Sequence, residues 1–408
     1  MRKTNERLIV FLVGAIQFVN ILDFVIVMPL GLDFAKALNI PSSQVGWLGV
    51  AYTSSAAVSG LIGSLFLDRY DRRVVLAITM GGLVFGTAAG GLATSFEMLL
   101  VARAVAGFFG GPATSMAFSI IADTVPAERR GAAMGAVAGA FSAASVLGIP
   151  LGVELARRGG WQLPFYAVAG MGMVVTAMAI YFLPPMTGHL AQLSHQPVLL
   201  QLGRIVRRPL VQMSYAMTAL VMAGGFVVVS MLSPYVQSNL GFPREELSWL
   251  YLKAGIVSFF TSRAGGYLID RYGSTVVGAL GVLVLLPVQY ILLVNYQPSI
   301  PMHYIFMAFM LGMGLRNVAH TTLTSKVPPP AERARFASLQ SAVQHAASAL
   351  GAFISTQILV ELPNHHLLHV DRVGYLAMTL ATLMPLVLWL VERKVRQRDR
   401  LASPQQPS

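Results

Sequence analysis

Three ionisable residues stand inside long apolar runs. They are Asp23 in Ile21-Leu22-Asp23-Phe24-Val25-Ile26, Arg103 in Leu100-Val101-Ala102-Arg103-Ala104-Val105, and Arg316 in Gly314-Leu315-Arg316-Asn317-Val318. Each run is long enough to cross a bilayer core, where a charged side chain is costly and marks a functional site by default. A carboxylate in that setting can take up and release a proton. An arginine stays charged, so it must face a cavity, an anion or a fixed partner. Asp23 lies about seven residues from one end of its run and Arg103 about five from the corresponding end of its own, so at ~1.5 Å per residue both sit roughly 8–10 Å below one surface. Two bland alternatives stand beside these readings: Asp23 close enough to that surface to stay hydrated, and Arg103 or Arg316 serving to fix helices.

Polar companions sharpen the pattern. Gln17, Asn20 and Asp23 follow one another at i, i+3 and form a polar stripe on one helix face. Such a stripe cannot face lipid cheaply, so it is expected to line a cavity. Beside Arg316 stand Asn317 and, one turn on, His320, whose side-chain type ordinarily titrates near neutral pH. With Gln344 as a weaker member, these residues are the candidates for substrate contact. Lone helical histidines are more often packed than functional, and Arg316 reads equally as a ligand or as a structural residue.

The elements that must hold these groups follow from composition. Of 408 residues, 55% are hydrophobic and 11% charged, where a soluble chain carries roughly 25% charged. There are too few charges to cover a water-facing surface. We read twelve spans, roughly 8–30, 44–66, 75–95, 98–121, 132–154, 162–183, 211–235, 247–269, 276–295, 303–325, 337–360 and 373–391. The longest connection, 184–209, is polar and reads as a cytoplasmic linker between an N-terminal half (1–183) and a C-terminal half (210–392); the tail, 393–408, is charged and then Pro- and Gln-rich and is expected to be disordered. The fold class is therefore an all-α integral membrane protein. The first apolar run continues past Val27 without a small-residue cleavage site, so it reads as a retained span rather than a signal peptide.

The net charge is +12. The basic residues sit in short loops, so this charge points to a membrane surface and not to nucleic acid. With the N-terminus inside, about 20 of the 29 Lys and Arg fall on the cytoplasmic side. Both termini are then cytoplasmic, and a cell membrane, bacterial inner membrane by expectation, is the location. Cysteine is absent, which excludes disulfides, thiolate metal sites and a cysteine nucleophile. No zinc-type His-Glu-x-x-His, nucleophile elbow or phosphate-binding loop occurs, so the chain does not read as an enzyme and calls for no cofactor or metal. His365, His366 and His369 cluster in the last outer loop but lack helix-borne carboxylates beside them.

A motif then appears twice. Gly63-Ser64-Leu65-Phe66-Leu67-Asp68-Arg69-Tyr70-Asp71-Arg72-Arg73-Val74-Val75 matches Gly265-Gly266-Tyr267-Leu268-Ile269-Asp270-Arg271-Tyr272-Gly273-Ser274-Thr275-Val276-Val277 without a gap. Pro126-Ala127-Glu128-Arg129 and Pro330-Ala331-Glu332-Arg333 repeat in the same order. The chain is thus two similar halves, an architecture of many secondary transporters.

These residues resemble the major facilitator superfamily. The first motif is similar to its signature Gly-x-x-x-Asp-Arg-x-Gly-Arg-Arg, with Asp71 where the family usually has Gly; that Gly often adopts a left-handed backbone, which Asp tolerates better than most. Arg103 and Gly107 resemble the fourth-span motif. Gly148-Ile149-Pro150-Leu151-Gly152 resembles the fifth-span motif of efflux and antiport members, departing from it by Ile149 between Gly and Pro and by Ala144 for the first Gly. Trp161-Gln162-Leu163-Pro164-Phe165 is similar to the Trp-Arg-x-x-Phe of proton-coupled drug and sugar exporters.

The resemblance implies two pseudo-symmetric six-helix bundles around a central cavity, working as a monomer on a small-molecule substrate and protons. It implies that the first and fourth spans line the cavity together, so that Asp23 carries the driving proton while Arg103 holds its charge in one state. It also implies a cytoplasmic gate of Gly63, Asp68, Arg69, Arg72, Asp123, Asp270 and Arg271, with Asp68 near the start of the eleventh span. The expected activity is export of a drug-like or amphipathic compound by proton antiport. A sugar or metabolite exporter, or a proton-coupled importer, is the alternative.

Overall fold

The computed structural model describes residues 6–187, 198–329 and 332–402, without the side chains of 64, 68, 127, 128, 130–132, 138, 142, 201 and 334. Apolar runs become helices because a membrane offers no water to unpaired backbone groups. In the first half these are α1 (Glu6–Val25), the short α2 (Gly31–Ala37), α3 (Gly46–Phe66), α4 (Arg72–Gly91) and α5 (Phe96–Thr124). The fifth span is broken into α6 (Ala127–Ala138), α7 (Ala140–Ala143), a π-turn over Ala144–Gly148 and α8 (Ile149–Gly159), and α9 (Gln162–Phe182) closes the half. Pro150 explains the break. It has no N–H to donate back to Val146, and its ring crowds that carbonyl, which a π-turn relieves.

The second half comprises α10 (Val198–Val206), α11 (Pro209–Ser238), α12 (Leu247–Tyr272), α13 (Ser274–Leu293), α14 (Met302–Ser325), α15 (Arg333–Ile358) and α16 (Val370–Ala402). A two-stranded hairpin, β1 (Val360–Glu361) with β2 (Leu367–Leu368), joins α15 to α16. Each half packs into a six-helix bundle, and the two meet where α3 lies along α15 and where α8 and the π-turn lie along α12. Gly255 of α12 makes the latter contact close: a methyl there would lie 2.6 Å from the Ser145 carbonyl.

Among the described residues, 8 helices are both long and apolar enough to cross a bilayer. The other expected spans are the broken fifth, α12, α14 and α15. Their polar residues have somewhere to go: α12, α15 and the broken span pack against the opposite bundle, while α14 carries Arg316 and His320 inward.

Three sequence expectations are corrected. The connection 184–209 is not simply polar, because α10 buries Leu202 and Ile205 in the second bundle's core; residues 188–197 lie outside the described set. The tail does not begin at 393. Its Arg-, Lys- and Gln-rich start has good helix propensity and continues α16 to Ala402, where Arg398 donates to the Val327 and Lys326 carbonyls. Residues 403–408 lie outside the described set.

The third correction concerns Asp71. Its φ of −56° is not left-handed. Asp71 caps α4 instead, accepting from Arg73 N at 2.8 Å, and also accepts from Met186 N at 3.0 Å beyond α9. In the second copy Gly273 has φ +90°. There Glu392, at the end of the apolar part of α16, reaches back to accept from Thr275 N at 2.8 Å and from Thr275 Oγ1. One carboxylate therefore fastens the third helix of each bundle to the sixth, supplied from opposite partners. Glu392→Ala is expected to cost ~1 kcal/mol, the usual loss for a helix cap, read as a lower thermal-unfolding midpoint of the purified protein. An unchanged midpoint would mean that α13 does not depend on this cap.

Candidate functional site

Asp23 and Arg103, placed at one depth by residue counting, meet. Arg103 Nη1 donates to Asp23 Oδ1 at 2.9 Å, and Nη2 donates to Oδ2 at 3.2 Å and to the Asp23 carbonyl at 3.1 Å. Thr87 Oγ1 on α4 adds a third side-chain donor to the carboxylate, at 2.7 Å. Both members are sealed, with 0% of the Asp23 and 1% of the Arg103 side chain exposed. The Tyr52 ring lies 4.7 Å from the guanidinium carbon and the Phe165 ring 6.0 Å from it. A pair this deep is a poor source of stability, yet removing one member costs ~3–5 kcal/mol because the other charge is stranded. Removing the charge of either member would leave the other buried without its ionic partner.

Small residues bring the helices close enough. A methyl on Gly107 would lie 2.1 Å from the Tyr52 carbonyl oxygen, so α5 meets α3 backbone to backbone. On the other face of α1, methyls on Gly148 and Gly152 would lie 2.6 Å from Leu22 Cδ1 and 1.8 Å from Ile26 Cδ1. Gly148 and Gly152 of the fifth span thus seat the end of α1 on either side of Asp23, while Pro150 is buried between them in α8.

Asn20 is not a lining residue in this conformation. Its Nδ2 donates to the Gly110 carbonyl and to Thr114 Oγ1, both at 2.9 Å, and its Oδ1 accepts from Tyr52 Oη at 3.1 Å. The stripe was expected to line a cavity; Asn20 instead bonds to α5 and α3. Gln17 is buried with its Oε1 unpartnered. Next to Asp23, Phe24 reaches the other half, with ring centroids 5.6 Å from Phe226 on α11 and 6.5 Å from His345 on α15.

In the second bundle Arg316 and His320 are buried. Thr218 Oγ1 of α11 lies 2.8 Å from His320 Nε2 and accepts from Gln340 Nε2 of α15. Asn317 is partly buried, and Gln344 is exposed and joins neither cluster.

At the end carrying both termini, Arg72 Nε pairs with Asp123 Oδ2 at 3.1 Å, joining the start of α4 to the end of α5. Gly63 and Leu67 border one small cavity with Arg335 and Ser338, so the first motif does abut the start of α15. The Asp68 side chain lies outside the described set. Arg69, Asp270 and Arg271 are exposed, with Arg271 against the Tyr272 ring at 5.4 Å.

Tyr52, Thr87, Thr218, Gln340 and His345 were missed from sequence, whereas Phe165 was singled out as the last residue of the Trp161–Phe165 motif. Each is a single mildly polar or aromatic residue in a helix, and the helical period does not say which neighbour it faces. Thr87 and Thr218 had no signal at all.

Residues 13–352 match the family described as the Major Facilitator Superfamily. The chain belongs to that superfamily. It is a multi-pass membrane transporter and not an enzyme, as the superfamily's members are, and they commonly work as monomers. Solved superfamily structures share the fold at low identity. A D-xylose-proton symporter aligns with TM-score 0.76 and 15% identity over 93% of this chain and 96% of that one. The human organic anion transporter MFSD10 (TETRAN) gives 0.73 and 17% over 94% and 99%. A bacterial homolog of the human lysosomal transporter Spinster, inward-facing and unoccupied, gives 0.73 and 16% over 97% and 99%.

Proposed function

We propose that the protein exports a small amphipathic molecule by proton antiport, with Asp23 as the proton carrier and Arg103 as its counter-charge. The sealed, triply hydrogen-bonded Asp23 beside a guanidinium carries this reading. An acid so placed can exist uncharged only if Arg103 finds another partner or the bundle rearranges, which is how protonation can bias a two-state transporter. The termini end is read as cytoplasmic because the Lys and Arg are concentrated there. The opposite end is then extracellular, and its polar ties between halves describe a conformation shut to the outside. Arg244 holds Asp33 at 3.1 and 2.9 Å, Ser233 Oγ donates to the Pro29 carbonyl at 2.6 Å, and Ser42 N donates to Glu361.

Proteoliposomes enclosing a pH-sensitive dye test the proposal. Under an imposed proton gradient, one or more members of a panel of amphipathic compounds and sugars is expected to trigger proton flux. Substrate movement without proton flux would make the protein a uniporter or couple it to another ion.

The Arg244–Asp33 tie gives a further expectation. A tie worth ~1 kcal/mol changes a two-state ratio about five-fold, so Arg244→Gln should raise the outward-open population by that factor. The chain has no cysteine, so Ser230→Cys, buried between the halves at 5% exposure, supplies a single reporter. Its labelling by an impermeant maleimide from outside should speed up accordingly in the Arg244→Gln background. Equal rates would remove the tie from the gating account.

A further inference from the structure

The two buried arginines live in opposite circumstances. Arg103 has a carboxylate. Arg316, 2% exposed, has none among the described residues, and the apolar stretches of α11 to α16 contain no Asp or Glu to supply one. Its Nη2 reaches the Met313 sulfur at 3.1 Å, a weak acceptor, and its Nε has no hydrogen-bond partner. Opposite it on α11 stands Gly225, where an added methyl would come within 3.3 Å of Nη2. The place from which a side chain could answer the guanidinium is thus held by a residue that has no side chain. The same bundle buries further polar side-chain atoms without a hydrogen-bond partner: Asn317 Oδ1 next in sequence, His320 Nδ1 one turn on, and Gln340 Oε1, which belongs to the Thr218-linked group with His320. A buried guanidinium with no carboxylate to meet it, facing a glycine and one turn from a buried histidine, is suited to an incoming anion.

We infer that the transported compound carries a carboxylate-type anionic group, which Arg316 receives beside Gly225, with Asn317, His320 and Gln340 taking its neutral polar atoms. A guanidinium fork matches a carboxylate with two parallel hydrogen bonds, and no acidic residue competes for it here. With Asp23 neutralised by Arg103, the uncompensated charge deep in the interior is positive, which favours anionic over cationic cargo. This inference rests on the transport reading above and narrows its substrate class.

The test uses an aryl carboxylate, its primary amide and its amine analogue as probes, with two readouts: ligand-dependent thermal stabilisation of the detergent-purified protein, and substrate-triggered proton flux in proteoliposomes. The carboxylate is expected to stabilise and to drive flux, the other two far less. Arg316→Gln should weaken carboxylate binding on the order of 30-fold or more, the usual consequence of stranding a buried charged partner. Gly225→Asp supplies Arg316 with a fixed carboxylate; it should abolish carboxylate binding while leaving the unliganded protein at least as stable as wild type, which separates loss of the site from loss of fold. Carboxylate binding unchanged in Arg316→Gln, a preference for the amine, or no binding of the carboxylate overturns the inference. Flux driven by the amine or amide, and lost in Asp23→Asn, would leave proton antiport standing without the anion site. Arg316-dependent carboxylate binding without proton flux would do the reverse.

Discussion

Asp23→Asn is expected to abolish proton-driven transport while downhill exchange of substrate persists. Asparagine keeps the volume and can still accept from Thr87, but it cannot bind a proton, so the buried site beside Arg103 no longer changes charge when the gradient is applied. The substitution also strands Arg103 at 1% exposure, which costs ~3–5 kcal/mol, so the single variant will be less stable. The double variant Asp23→Asn with Arg103→Gln removes both charges and should recover much of that stability without recovering coupling. Thermal unfolding and proton flux measured on the same three proteins separate the two effects. If the double variant regains gradient-driven transport, the pair is a structural clasp and the proton travels elsewhere.

Gly107→Ala is expected to have the second large effect, through packing alone. The added methyl would sit 2.1 Å from the Tyr52 carbonyl oxygen, and backbone cannot swing aside as a side chain can. Helices α3 and α5 must separate, at the ~1–3 kcal/mol typical of overpacking. Tyr52 would be drawn off both Arg103 and Asn20, so transport should fall along with the unfolding midpoint. Gly81→Ala and Gly170→Ala are matched controls. Nothing lies within 4 Å of a methyl at either position, and alanine is the better helix former, so neither should destabilise. If Gly107→Ala behaves like the controls, the backbone contact between α3 and α5 does not shape the site.

How much of this was legible in the sequence depended on how strongly each residue departs from its surroundings. Asp23 and Arg103 stood out because a membrane interior penalises charge, and counting residues to one surface was enough to bring them to one depth. The family's fold was legible for a related reason: a motif repeated in order fixes two halves without any contact being known. The direction of a helix face was not legible. The Gln17–Asn20–Asp23 stripe had to avoid lipid, but a cavity and a neighbouring helix satisfy that demand equally, and Asn20 turned out to bond α5 and α3. Asp71 illustrates a second limit. Aspartate suits both a left-handed turn and a helix cap, and only the proximity of Arg73 N and Met186 N decides between them. The broken fifth span and the extension of α16 to Ala402 show a third: composition marks apolar stretches well, but helices bend and continue according to local backbone demands.

The central claim is that Asp23 is the group that gains and loses the transported proton. Infrared difference spectroscopy of the purified, membrane-reconstituted protein reads this directly, by following the carbonyl stretch of a protonated carboxyl group as substrate is added and removed at fixed pH. The account predicts a carboxyl band that disappears when one ligand state replaces the other and that is missing in Asp23→Asn. A substrate-dependent carboxyl band that survives in Asp23→Asn, or the absence of any such band in a protein that transports with proton flux, would contradict it.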